Sequence, residues 1–311
     1  LKLKATNEQI YVTGEARINT VPVSVKWSEK MKNKGISNND LKSIINISAE
    51  VNETHLAALN LDFLSSRIRG YVQADVTLSG SLNNFTLLEV SADLSKAKAS
   101  FSPLNHIKPV NTPGMIKVRT DYGDKGRVKG ALLDIDLADF STQVEFTYDD
   151  YITDLKISPF VIKDKYNFSL SFGENKDRYE ILLQGKDFDI SALTKPIDFG
   201  LPDGVLSSEK KGQSPFDWVN RLGENLSIKM DVDNLHMNNG VVLKGVSGVV
   251  ERQDNLFEKI VLNGSFTEKH RLSYVLFRDE NRNRHVSLEV PKAEYFFKGF
   301  GFIEGMEGGY I

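Results

Sequence analysis

Apolar and polar residues alternate along most of this chain. In residues 71–80, Val72, Ala74, Val76 and Leu78 occupy every second position and polar residues stand between them. This period of two is the signature of a β-strand with one apolar and one solvated face. Comparable runs recur along the chain and predict about fifteen strands, joined by turns rich in glycine, asparagine and aspartate.

Helical signals are few. Residues 53–60 carry small and apolar side chains at a helical spacing, which predicts two turns capped by Asn52 or Thr54. A second short helix is predicted to begin at Ser214 and Pro215, because serine suits the N-cap and proline the first helical position. So few helices cannot cover the apolar faces of about fifteen strands.

One stretch occurs twice without a gap, at residues 47–72 and 286–311, and a shorter echo lies at 181–193. The pairs that are identical are Ser48/Ser287, Glu50/Glu289, Val51/Val290, Phe63/Phe302, Gly70/Gly309 and Tyr71/Tyr310. Each long copy predicts a strand, a short helical turn and an apolar pair. A recurring unit of this kind is typical of stacked modules that share one apolar surface.

The division of the chain follows from its most linker-like stretch. Residues 201–213 have the composition of a linker. We therefore predict a first β-segment over 1–200, a linker with a short helix over 201–225, and a second β-segment over 226–311. The two segments are expected to be continuous, as one extended domain. The strand-like character of both ends leads us to expect that the sequence is an internal piece of a longer protein.

The architecture is limited by the size of an open sheet. At ~4.8 Å per strand, fifteen strands in one sheet would span roughly 70 Å, and flat sheets seldom exceed ~10 strands without curling or splitting. The sequence thus allows a closed sandwich, two successive sandwiches, or a curled sheet with an open apolar trough. We predict the last of these: an all-β protein with few short helices, whose elongated, twisted and curled antiparallel sheet forms a groove.

Composition narrows the function classes. The chain has 311 residues, a formal net charge of −3 and no cysteine, which excludes a disulfide framework and thiolate metal sites. Lysine and arginine are scattered, so a nucleic-acid partner is not expected. No apolar run approaches the ~18–20 residues of a membrane helix.

No catalytic or metal-binding motif emerges. The five histidines are dispersed without ligand spacing. The carboxylate pairs Asp134/Asp136 and Asp231/Asp233 have strand spacing, which places each pair on a solvated face. We therefore expect no enzyme activity, no cofactor and no metal.

Five phrases of the sequence, taken in their order and spacing, resemble the AsmA-like superfamily of Gram-negative envelope proteins, specifically its very long YhdP-type members. The phrases are VTGEARINTVPVSVKW (12–27), LSKAKASFSPLNHIKPVNTPG (94–114), DFDISAL (187–193), VDNLHMNNGVVLKGVSGVVER (232–252) and GFGFIEGMEGGY (299–310). One motif departs from the pattern, since His106 stands where a tryptophan is expected two residues before Lys108.

The resemblance implies a periplasmic segment of a protein that is anchored in the inner membrane outside this sequence. It is similar to bridge-like lipid transfer proteins, whose twisted sheets carry phospholipid acyl chains in an apolar groove towards the outer membrane, with further envelope partners. The candidate groove residues alternate on the predicted strands. They are Val72, Ala74, Val76, Leu78, Val90, Leu133, Ile135, Val144, Phe146, Phe168, Leu170, Ile228 and Met230.

The same apolar residues also fit a purely structural interpretation. Alternating valine, leucine and phenylalanine more often form an ordinary closed core than a ligand surface. The alternative function is therefore a secreted or periplasmic all-β binding or scaffold domain, of the adhesin or carbohydrate-recognition type.

Overall fold

In the computed structural model, 73% of the described residues are in strands and 9% in helices, so the predicted all-β class is confirmed. The structure describes residues 1–31, 43–81, 84–101, 106–123, 126–163, 165–175, 178–191, 225–254, 256–290 and 292–300. Two compact units are present, the first made of residues 1–150 with 198–209 and the second of 151–197 with 210–311. The predicted helix at Ser214 and the boundary at residue 200 lie outside the described residues.

The first unit is built on a fully antiparallel sheet of consecutive long strands. They are β1 (Lys2–Ala5), β2 (Gln9–Ile18), β3 (Val21–Lys30), β4 (Ser43–Val51), β6 (Val72–Ser81), β7 (Asn84–Asp93), β10 (Gly114–Tyr122), β11 (Val128–Leu137) and β12 (Phe140–Asp149). Pairing follows this order from β1 to β12. In the part of the chain that the structure describes, β1 and β12 do not pair with each other.

Three short strands of the first unit form a separate small sheet. These are β5 (Ile68–Gly70), β8 (Ala97–Phe101) and β9 (His106–Lys108), which pair in the order β5, β8, β9. The segment between β7 and β10 contributes two of them, β8 and β9. We refer to this element as the side sheet.

The second unit repeats the plan with one difference. Its strands are β13 (Tyr151–Ile162), β14 (Tyr166–Asn175), β15 (Arg178–Asp189), β16 (Leu226–His236), β17 (Val242–Gln253), β18 (Leu256–Thr267), β19 (His270–Arg278) and β20 (Arg284–Glu289). Consecutive strands are neighbours, and their pairs among the described residues are antiparallel except β15 with β16, which is parallel. A parallel pair needs a long crossover connection, and residues 190–225 provide that length.

In each unit a short helix follows the repeated strand. In the first unit α1 (Glu53–Ala58) follows β4, and α2 (Asp62–Ser65) comes next. The side chain of Asn52 accepts a hydrogen bond of 3.0 Å from the backbone N–H of His55, so Asn52 is the N-cap rather than Thr54. In the second unit α3 (Ala293–Phe300) follows β20. The repeated pair Val51 and Val290 is buried in both units.

The helices and the side sheet bury one end of each apolar sheet face. In the first unit the buried cluster consists of Val21, Val23, Val51, Leu56, Val72, Leu94, Ala97 and Ala99. In the second unit it consists of Leu235, Met237, Leu243, Val246, Phe266, Leu272 and Val290, with Tyr295 and Phe296 of α3 packed against it. We call this the helix end of each face and the opposite strand ends the rim.

A buried lysine ties the side sheet to the first sheet. Lys108 is fully buried, and its ammonium donates hydrogen bonds to the carbonyl oxygens of Leu94, Ala97 and Pro109. Burial lowers the pKa of Lys108, while the nearby Asp93 carboxylate acts in the opposite sense. The lysine chain fills the space above Gly114, where a Cβ would lie 2.4 Å from Lys108 Cε.

Candidate functional site

Cross-strand register aligns the apolar positions of the first unit into rows. A central row crosses the sheet through direct neighbours, namely Val25, Ile47, Val76, Val90, Val118, Leu133 and Val144. The next row towards the rim is Val12, Trp27, Ile45, Leu78, Leu88, Thr120, Ala131 and Phe146. The next row towards the helix end is Ala49, Ala74, Ala92, Ile116, Ile135 and Thr142. Together these rows form the apolar face of the first unit.

Burial decreases from the helix end of this face towards its rim. Val72 is 4% exposed and belongs to the buried cluster. Val76, Val90 and Leu133 are half-buried and lie outside that cluster. A strand face that packed against a second layer would be buried along its whole length. The central and rim-side rows of the first unit are therefore an apolar surface with partial access to solvent.

The second unit has an equivalent face. Its central row is Ile157, Leu170, Leu183, Met230, Gly248, Leu262, Tyr274 and Leu288. The row towards the rim is Leu155, Phe172, Ile181, Ile228, Val250, Ile260, Leu276 and Val286. Ile228, Val250 and Ile260 are half-buried, whereas Phe172 and Leu276 are buried. Val286 of the same row is 60% exposed, so burial varies along it.

Aromatic side chains line the helix-end side of this second face at β13–β15. Phe160 stacks on Phe168 at a centroid distance of 4.8 Å, and Phe168 meets Phe188 edge-on at 4.9 Å. Tyr166 lies at the same place and is buried, which raises the pKa of its hydroxyl, with a further contribution from Asp189. The cluster is apolar except for that single hydroxyl group.

The opposite face of the first sheet is mainly polar, whereas that of the second sheet also carries a row of valines, Val249, Val261 and Val275. In the first unit Asp75 accepts a hydrogen bond of 2.6 Å from Ser48, and Arg119 pairs with Glu89 at 3.7 Å. Asp134 opposes Lys117 and Gln143 on this face. The carboxylate pairs of β11 and β16 therefore lie on the solvated side, as predicted. In the described part of the chain, no group of three or more histidine or acidic residues could hold a metal ion.

All thirteen candidate groove residues lie on the two apolar faces. Val72 and Ile135 are buried, and the other eleven are half-buried. The first unit holds Val72, Ala74, Val76, Leu78, Val90, Leu133, Ile135, Val144 and Phe146; the second holds Phe168, Leu170, Ile228 and Met230. Their position on one face follows from strand register. Contact with lipid stays a prediction.

Several residues of the same faces were missed by the sequence analysis. Trp27, Ile45 and Val118 complete the first face, and Val250 and Ile260 complete the second. All but Val250 stand two positions from another apolar residue in their own strand, so the period of two contained most of the signal. The period of two did not show which sides of strands far apart in sequence belong to the same face of the sheet.

Comparison with protein-family models, curated proteins and solved structures finds no match for this chain. The resemblance to the AsmA-like superfamily therefore rests on the sequence phrases alone. Within the described residues, no helix is both long and apolar enough to cross a bilayer.

Proposed function

We propose that this chain shields phospholipid acyl chains on its apolar sheet faces and is a segment of a periplasmic protein that supports lipid transport between the inner and outer membranes. The observation that carries the proposal is the half-buried part of the central row at Val76, Val90 and Leu133, which lies outside the helix-covered core. The proposed role is shielding rather than catalysis, and it requires no cofactor.

The energetics favour such a surface as a lipid carrier. A phospholipid with ~30 chain methylenes would cost roughly 24 kcal/mol to carry bare through water, at ~0.8 kcal/mol per methylene. An apolar surface removes most of that cost without a specific pocket. Half-buried valine, leucine and phenylalanine side chains are the residue types that such contact needs.

The dimensions of the face also suit an acyl chain. From Val76 to Gly80 at the rim, four residues at ~3.4 Å each span about 14 Å. One leaflet of a bilayer contributes about half of a ~30 Å hydrocarbon core. A chain lying along the strands from the central row would therefore place its headgroup at the rim, next to water.

Photo-crosslinking tests the proposal with controls built into the strands. A photoreactive amino acid at Val76 or Phe146 should crosslink phospholipid in the bacterial periplasm, and mass spectrometry of the adduct identifies it. The same amino acid at the neighbouring Asp75 or Glu145, on the polar face, should not. Equal labelling at both sets of positions, or none at Val76 and Phe146, would refute lipid shielding and favour the closed-core binding domain.

A further inference from the structure

An open cavity lies on the second sheet at strands β13 to β16, on the face opposite the apolar rows. Its volume is about 380 Å³, within the range of ~300–1,000 Å³ that is typical of small-molecule sites. Asp154, Gly173, Glu180 and Ser227 are direct cross-strand neighbours in this order, and all four line the cavity. Because side chains alternate between the two faces of a strand, this cavity is separate from the surface proposed for acyl chains. We call it the outer cavity.

The space in the outer cavity comes from Gly173, which places no side chain between two acidic neighbours. A Cβ at this position would lie 3.1 Å from Oδ1 of Asp154, so the Asp154 carboxylate leans over the glycine. On the other side of Gly173, Oε1 of Glu180 accepts a hydrogen bond of 3.2 Å from the side-chain amide of Asn175. Two carboxylates thus border a gap in the surface of the sheet.

A buried hydroxyl group lines the outer cavity. Ser227 is 6% exposed, and its side chain makes no hydrogen bond to any described residue. A buried polar group without a partner costs free energy, and such groups are rare in folded proteins. A polar ligand in the cavity would supply the missing partner.

Three further polar side chains of the outer cavity are without a partner in the part of the chain that the structure describes. They are Asp154, Ser171 and Lys229. Asp154 on β13 and Lys229 on β16 are three strand spacings apart, roughly 14 Å at ~4.8 Å each, which is too far for them to pair with each other. The cavity therefore offers a carboxylate on one side, an ammonium group on the other, and the Ser171 hydroxyl between them.

A hollow on the polar face of the first sheet differs in this respect. Two of its lining side chains, Asp75 and Thr77, are hydrogen-bonded within the sheet, and a third, Arg119, is paired with Glu89. None of the polar side chains that line it is buried as Ser227 is. Unpartnered groups around a buried hydroxyl thus distinguish the outer cavity of the second unit.

We propose that the outer cavity binds a saccharide, with a sugar ring above Gly173 and its hydroxyl groups bonded to Asp154, Ser227 and Lys229. A hydroxyl group both donates and accepts hydrogen bonds, so a sugar can bond to a carboxylate, a serine and an ammonium group alike. A cationic ligand would be repelled by Lys229, and an anionic ligand by the two carboxylates. Leu182 also lines the cavity, is 37% exposed, and offers an apolar contact to the C–H groups of a ring.

Saturation-transfer difference NMR tests this assignment. The probes are the methyl glycosides of glucose, galactose, mannose and N-acetylglucosamine at millimolar concentration. We expect at least one of them to receive saturation from the protein. Putrescine and glycine, a cation and a zwitterion without hydroxyl groups, should receive none. Transfer to these two probes alone, or to no probe at all, would overturn the saccharide assignment.

Matched variants locate the binding in the outer cavity. Asp154→Asn, at an exposed position, should weaken binding about tenfold, because one charge-assisted hydrogen bond is worth about a decade of affinity. Gly173→Ala places a methyl group in the gap and should weaken binding although every polar group remains. Asp233→Asn removes the same charge from an exposed position of β16 outside the cavity and should leave binding unchanged.

The variants also give the results that contradict the proposal. Affinity that survives in both Asp154→Asn and Gly173→Ala, or that falls equally in Asp233→Asn, overturns the outer cavity as the saccharide site. If Gly173→Ala does not fold, Ser227→Ala removes only the buried hydroxyl and should still lower the affinity. The proposal for lipid is unaffected by these results, because the acyl-chain surface lies on the other face of the sheet.

Discussion

The ammonium group of Lys108 donates a hydrogen bond of 2.8 Å to the carbonyl oxygen of Leu94, at the point where β7 ends. The same group also reaches the carbonyls of Ala97 and Pro109 at 3.0 Å. An ammonium has three N–H donors and no acceptor, so the three carbonyls use its full capacity. The Lys108 side chain thus fixes the side sheet against the sheet of long strands in the first unit. The side sheet in turn closes the helix end of the first apolar face.

Replacement of Lys108 by methionine should destabilise the protein. The change keeps the chain volume but leaves three carbonyls without their donor, at an expected cost of about 2–3 kcal/mol in the free energy of unfolding. Lys98→Met on the neighbouring strand β8 is the control, because Lys98 is exposed and should change stability by less than ~0.5 kcal/mol. Urea unfolding of both variants measures the difference. Equal midpoints would show that the buried hydrogen bonds contribute nothing.

The sequence pattern predicted the strands and their inward side but could not predict this lysine. Alternation identifies which residues of one strand share a face, and the thirteen candidates all fell on the apolar faces for that reason. A buried lysine contradicts the composition of ordinary cores, and its partners are backbone carbonyls, which any sequence supplies. Its position was therefore visible only once the side sheet was placed.

Strand register and strand direction were the other features that the sequence pattern could not predict. The sequence favours hairpins between successive strands, and most antiparallel neighbours follow that expectation, although β4 pairs with β6, β7 with β10 and β5 with β8. The pairing of β15 with β16 is parallel because the chain returns through a long connection, a feature that local periodicity does not record.

Asp93 should make the free energy of unfolding depend on pH in the acid range. Its carboxylate accepts hydrogen bonds from the side chain and the backbone N–H of Ser95, which lower its pKa below the usual value. A carboxyl group with a lowered folded-state pKa stabilises the fold above its unfolded pKa, near 3.8. That contribution is lost as the pH falls through the folded-state pKa.

The comparison of wild type with Asp93→Asn isolates the contribution of Asp93. The difference between their free energies of unfolding should be constant above about pH 5 and should shrink as the pH falls below ~4. Chemical denaturation at a series of pH values measures it. A difference that does not vary with pH would mean that the hydrogen bonds from Ser95 do not favour the ionised carboxylate.

Gly264 should tolerate no side chain, whereas Gly248 should accept a methyl group. A Cβ on Gly264 would lie 2.7 Å from Cγ of Leu243, a fully buried residue, but a Cβ on Gly248 has no neighbour closer than 3.3 Å. Overpacking a dense core typically costs about 1–3 kcal/mol. Gly264→Ala should therefore lower the melting temperature clearly and Gly248→Ala only slightly. Similar melting temperatures would indicate that Leu243 can move aside.

Two single aspartate substitutions in β6 distinguish the buried core from the proposed lipid surface. Val72→Asp buries an unpaired carboxylate in the helix-end cluster and should cost more than ~3 kcal/mol in the free energy of unfolding. Val76→Asp, four residues along the same face and half-buried, should cost less than ~2 kcal/mol.

The folded Val76→Asp variant should nevertheless lose bound phospholipid, because a carboxylate in the central row interrupts the apolar path for an acyl chain. Thr77→Lys places a charge on the polar face, directly opposite Glu89, and should keep both stability and lipid. Circular dichroism and mass spectrometry of extracted lipid give the two readouts. If Val76→Asp unfolds the protein as Val72→Asp does, the central row is closed core, and the face cannot serve as a surface for acyl chains.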